Sequence, residues 1–123
     1  MWIDIIKFLL EILKITENEN KEKKEKLSKL FAEISDLINS VVYDLQNDIY
    51  PHFSCSMMHH LTDKLFDQTN DILSDEEKNK YYSLLKECSN LEKKFNYREE
   101  SSVITDMIDA AAQFKVLSLT FNV

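Results

Sequence analysis

The chain has no glycine in 123 residues. Only glycine reaches backbone conformations of positive φ without steric cost, so hairpin turns, phosphate-cradling loops and left-handed helix caps all lean on it. Losing every glycine disfavours a sheet protein, a dinucleotide fold and a P-loop at once. With a single proline, Pro51, and abundant leucine, lysine, glutamate and isoleucine, helix is favoured along the whole length. At 44% apolar and 30% charged residues, a chain of this size supports one domain, 1–123, with a real core and no disulfide staples.

The clearest periodic signal is Leu27, Leu30, Phe31, Ile34, Leu37, Ile38, Val41, Val42, Leu45 and Ile49, stepping by three and four without a break. It predicts a helix over 20–50, about 45 Å long, as the spine of a bundle. The polar, mixed-charge stretch from Thr16 to Lys26 is a loop running into its solvated first turn, capped by Asn18 or Asn20. The helix should stop just before Pro51, because the residue ahead of a proline is pushed out of helical geometry.

Met58, Leu61, Leu65, Phe66, Ile72 and Leu73 predict a helix over 54–73, capped by Ser54 or Ser56. The stretch SDEE, Ser74 to Glu77, has capping-box spacing. It opens a helix over 75–95 that carries Tyr81, Leu84, Leu85, Cys88, Leu91 and Phe95. Val103, Met107, Ala110, Ala111, Phe114, Leu117 and Phe121 share a face of a helix over 99–121. Small Ala110, Ala111 and Ala112 would let another helix approach closely there.

The opening WIDIIKFLLEILKI predicts a helix over 1–15. Asp4, Lys7, Glu11 and Lys14 fall on one stripe with alternating sign. Fourteen residues span about 21 Å, short of the ~30 Å hydrocarbon core, so no transmembrane segment is expected. The apolar surface is nevertheless wider than the ~100° arc that covers one side of a bundle. Either this helix lies deep between others, or Trp2, Ile5, Ile6, Phe8, Leu9, Ile12 and Leu13 are reserved for a partner.

The net charge of −7 argues against a nucleic-acid surface. Residues 33–77 hold ten aspartates or glutamates against one cation, Lys64. Two cysteines, Cys55 and Cys88, make no secreted disulfide framework, and no cleavable signal pattern precedes them. A reducing, cytoplasmic setting is the expectation.

Chemistry concentrates in DIYPHFSCSMMHH, Asp48 to His60. His52, Cys55, His59 and His60 are types that zinc accepts. A structural zinc site wants four ligands, however, and the only local fourth is Asp63. Cys55 at a helix N-terminus, with His52 or His59 as base, would suit a thiolate nucleophile. That chemistry also needs an oxyanion site and an orienting third group, which a glycine-free, loop-poor chain does not obviously supply. The Glu-x-x-His pair of di-iron bundles is missing, since Ile49, Ser56 and Met57 stand three before the histidines. The simpler alternative is a structural corner. There Pro51 breaks the long helix, Cys55 packs inward as a small apolar residue, and the histidines sit near the surface.

Asp63, Asp67, Asp71 and Asp75 recur at four-residue steps, an acidic ladder on the helix after the corner, and Asp44 and Asp48 repeat the spacing before it. Like charges at that spacing cost a few tenths of a kcal/mol per pair. The ladder is either a solvated face or a docking strip for a basic partner.

At WIDIIKFLLEILKI, LFAEISDLINSVVYDLQNDIYPHFSC and DAAAQFKVLSLTF the chain resembles a family of small helical proteins common in cyanobacteria. The shared features are a Trp-Ile-Asp opening, a long second helix ending in a Pro-His-x-x-Cys corner (Pro51, His52, Cys55 here), and a last helix with small residues before Phe-Lys. Members often carry glycine after Pro-His, where this chain has Phe53. The resemblance implies a family with no assigned enzymatic activity, and a likeness to helical adaptor modules of bacterial conflict and signalling systems, which act by protein contact.

The expectation is an all-α, up-and-down bundle of four or five helices with a long second helix. Its function would be non-enzymatic: protein–protein interaction or oligomerisation, with no cofactor, no nucleic acid and a protein partner or second copy. The alternative is a small metal-binding protein or enzyme centred on His52, Cys55 and His59.

Overall fold

A computed structural model describes Lys7 and residues 21–69, 74–89 and 100–121. The described residues are all-helical, in four helices: α1 (Lys21–Gln46), α2 (His52–Thr69), α3 (Asp75–Ser89) and α4 (Glu100–Phe121). The N-terminal segment 1–15 lies outside the described residues except for Lys7, which is helical and exposed.

The heaviest packing joins α1 to α4. Ser28 Oγ donates to the Ser118 carbonyl at 2.7 Å, and Ser118 Oγ donates back to the Ser28 carbonyl at 2.8 Å. Ser35 Oγ donates to the Ala111 carbonyl at 2.7 Å. Moving seven residues forward on α1 therefore moves seven backward on α4, so the helices are antiparallel and in register over two turns. A side-chain hydroxyl reaches another helix's carbonyl only where both flanks are small. The sequence places Ser28, Ser35, Ala111 and Ser118 there.

Around this seam, Leu27, Phe31, Ile34 and Ile38 of α1 and Met107, Phe114, Leu117 and Phe121 of α4 are buried in one core. The Phe31 ring centroid lies 5.3 Å from Phe121 and 6.1 Å from Phe114. A phenylalanine so enclosed is worth about 3–5 kcal/mol over alanine. From α2, Cys55, Met58, Leu61 and Leu65 join the same core, and α3 contributes Tyr81. The α2–α3 contacts also run antiparallel, with Asp63 against Lys86, Phe66 against Tyr82 and Thr69 against Tyr81.

Helix α1 ends sooner than its apolar run predicts. Ile49, the last member of that run, is exposed, and the helix closes at Gln46. The stop precedes Pro51 because Asp48 takes a φ of 58°. Its N–H donates to the Leu45 carbonyl at 3.3 Å, while the Ile49 N–H donates to the Asp44 carbonyl at 2.8 Å. This is the paired bonding of a Schellman cap, with aspartate where glycine usually stands. Asn47 adds a bond from Nδ2 to the Tyr43 carbonyl at 2.8 Å. Lack of glycine has not removed the left-handed cap; it has placed the cap on one of the few other residue types that tolerate it.

Helix α2 starts at His52 rather than at 54, and neither serine caps it. The Pro51 carbonyl accepts the first intrahelical bond, from the Cys55 N–H at 2.9 Å. The capping box of α3 forms as its spacing predicts: Glu77 N–H meets Ser74 Oγ at 3.3 Å, and Glu77 Oε1 accepts from the Ser74 N–H at 3.3 Å. Residues 70–73 and 90–99, which hold the predicted ends of these two helices, lie outside the described residues.

Asp48→Gly relieves the left-handed strain, of order 1–2 kcal/mol, and removes an acid from a helix C-terminus. Glycine's greater unfolded-state freedom offsets part of this. The expected result is a net gain of about 0.5–1 kcal/mol, a rise of roughly 2–5 °C in thermal midpoint by circular dichroism. Asp48→Val, β-branched at positive φ, should move the midpoint the other way.

Tyr81 offers a second check. Its hydroxyl is hydrogen-bonded to the Thr69 hydroxyl at 3.1 Å, and Thr69 Oγ1 also meets the Leu65 carbonyl at 2.6 Å. Burial pushes the Tyr81 pKa above its ordinary value, and the Thr69 bond pulls more weakly the other way. The unfolded chain therefore loses this proton first, near pH 10. Stability contributed here is complete below that pH and falls as pH rises beyond it. Denaturant titrations should show a shallower alkaline loss for Tyr81→Phe than for the parent, alongside a fixed cost of about 1 kcal/mol at neutral pH.

Candidate functional site

The corner between α1 and α2 is where sequence reasoning gathers its candidates, and the structure separates them. Cys55 is 1% exposed and packs into the core beside Met58. His52 is the first residue of α2, not a residue ahead of it, and is exposed; its ring centroid lies 4.3 Å from that of Tyr50. The His52 N–H donates to the Tyr50 carbonyl at 3.0 Å. His59 is half-buried and His60 exposed. Among the described residues no group of three histidine, cysteine or acidic side chains is placed to hold a metal ion. Helix geometry accounts for this: Cys55 faces the core, while His52 and His60 point to solvent.

The acidic ladder is not one face of one helix. Ser74 caps α3, so Asp75 is the first residue of α3 rather than a continuation of α2. Asp63 accepts from Lys86 Nζ of α3 at 3.2 Å. That contact, chiefly the hydrogen bond itself, raises the lysine's pKa. Lys86 Nζ also lies 5.3 Å from the Tyr82 ring centroid. Asp63 therefore helps hold α2 to α3 at the surface, a modest contribution for so exposed a pair. Asp67 is exposed on α2, and Asp71 lies outside the described residues. Trp2, Ile5, Ile6, Phe8, Leu9, Ile12 and Leu13 also lie outside them.

What the structure adds is an apolar surface at the corner that periodicity does not single out. Phe53 is 76% exposed, Tyr43 64% and Ile49 52%, with Tyr50 less so. Four large apolar side chains are thus exposed within residues 43–53. One signal was available: Tyr43 stands outside the three-and-four run of α1, and Phe53 occupies the position after Pro-His. A second exposed stripe runs along α4 through Ile108, Ala112, Val116 and Leu119. Single exposed hydrophobics are ordinary, but clusters of them mark contact surfaces.

This geometry can bind by shape and apolar contact. In a Cys88→Ser background, Cys55 should react with a disulfide-exchange reagent only as the chain unfolds, far more slowly in buffer than in denaturant. Labelling in native buffer as fast as in the unfolded chain would return Cys55 to candidacy as a reactive thiol. Compared with known proteins, the chain matches no family model, no curated protein and no solved structure.

Proposed function

We propose that this chain is a non-enzymatic protein–protein interaction or oligomerisation module. In that reading it is an up-and-down bundle of four or five helices, with the 26-residue α1 coming second, behind the N-terminal segment 1–15. It would work in the cytoplasm as an adaptor, in the kind of bacterial signalling or defence system that its resemblance implies.

One observation carries the reading: Tyr43, Ile49, Tyr50 and Phe53 are all exposed within residues 43–53, which make the corner between α1 and α2. Aromatic side chains of this kind are the commonest anchors of protein interfaces, because they bury much area at little cost in rotamer entropy. The corner is pre-organised by the Schellman cap on one side and the Pro51 carbonyl on the other. Ordering such a surface on binding would cost little further entropy. The self-association half of the reading is favoured by the α4 stripe, where exposed Ala112 lets a second helix come near. No helix among the described residues is long and apolar enough to cross a membrane.

The test is a photoreactive phenylalanine placed at position 53, 116 or, as control, 29, in the full chain inside the cells that make it. Discrete adducts from position 53, absent from the exposed control Lys29, are expected. An adduct of twice the chain's mass from position 116 would identify self-association through α4. Silence at both 53 and 116 under conditions where the protein is abundant would remove the proposal. Stoichiometric zinc in protein purified without added metal would instead promote the His52, Cys55 and His59 alternative.

A further inference from the structure

We infer that the occupant of the corner is a cationic segment of a partner protein, a lysine or arginine beside an apolar side chain. This rests on the reading of the corner as a docking surface and adds the chemistry of what docks. The apolar anchors are Tyr43 and Phe53, and among the described residues the charged side chains next to them in the corner, Asp44 and Asp48, have one sign. Asp44 stands in the last turn of α1, which carries no basic residue, and Asp48 forms the cap itself. No lysine or arginine occurs between Lys29 and Lys64. Among the described residues, the ion pairs lie elsewhere, at Lys26–Glu22 and Lys86–Asp63.

The helix ends do not cancel this field. The C-terminus of α1 and the N-terminus of α2 meet at the corner with opposite partial charges that offset each other, which leaves the two carboxylates as the net charge. Asp48 is also a poor choice for stability alone, since aspartate at positive φ is strained. Local choices that work against the fold concentrate where function imposes them. A guanidinium or ammonium group laid between these carboxylates and an aromatic face gains from both, since rings attract cations and carboxylates pair with them more strongly as water leaves. Electrostatic steering would also speed encounter with such a segment.

The experiment displays random linear peptides to the full chain and counter-selects on the Phe53→Ser chain, so that only corner-dependent binders remain. The expected pool places Lys or Arg next to Leu, Phe or Tyr. Its members should bind Asp44→Asn/Asp48→Asn about tenfold more weakly and weaken further in salt. Asparagine keeps the positive φ accessible, so that variant retains the cap. A corner-dependent pool without cationic bias, or one indifferent to the aspartate changes, overturns the inference and leaves the corner a docking surface. Failure to recover any Phe53-dependent peptide overturns both. A pool that appears only after Lys93→Ser, Lys94→Ser and Arg98→Ser would mean that the chain's own 90–99 segment holds the corner, and overturns the inference as well.

Discussion

The reciprocal hydroxyl-to-carbonyl bonds between Ser28 and Ser118 fix the rest of the molecule. They require the axes of α1 and α4 to come close, and closeness brings Phe31 into contact with both Phe114 and Phe121. With Ser35 on Ala111 the register is pinned at two points. Gln46 is eleven residues beyond Ser35, and Glu100 eleven before Ala111, so α1 ends at the level where α4 begins. One polar seam inside an apolar core thus sets where the corner falls. Each buried hydroxyl in it has its partner, so the seam specifies alignment without leaving an unpaired polar group.

The corner is where a chain without glycine has to turn. Asp48 supplies the left-handed residue, Asn47 and the Pro51 carbonyl satisfy neighbouring backbone groups, and the next helix starts without a side-chain cap. A cap made by aspartate is costlier than one made by glycine, yet it leaves a fixed charge at the tip. The same residues therefore decide both how the chain reverses and what its surface presents. That coupling explains why the corner is polar in its backbone accounting and aromatic on its outside.

Much of this was legible in the sequence. Three-and-four periodicity places Leu27, Phe31, Ile34 and Ile38 in the core, and the same logic places Met107, Phe114 and Phe121. The Ser74–Glu77 box and the close approach at Ala111 are also written in residue types. What was not legible has a physical cause in each case. A hydrophobicity pattern passes over Ser28, Ser35 and Ser118, because their value lies in size and one hydroxyl rather than in apolar area. Ile49 continues the periodic run but falls beyond Asp48, and a run of spacings cannot show that the backbone has changed hand. The aspartate ladder fails likewise: four-residue steps mean a shared face only while one helix continues, and Ser74 ends that condition.

The division of labour among polar residues narrows where recognition can reside. Ser28, Ser35, Thr69 and Ser118 are spent inside the core, and Asp63 with Lys86 ties two helices at the surface. Cys55, the most reactive side-chain type at the corner, is enclosed and contributes packing. Of the chemically distinctive features described, this leaves aromatic rings, the histidines and two carboxylates at the bend, with a second apolar stripe on α4. Both the rings at the bend and the stripe on α4 can exclude water from a facing surface.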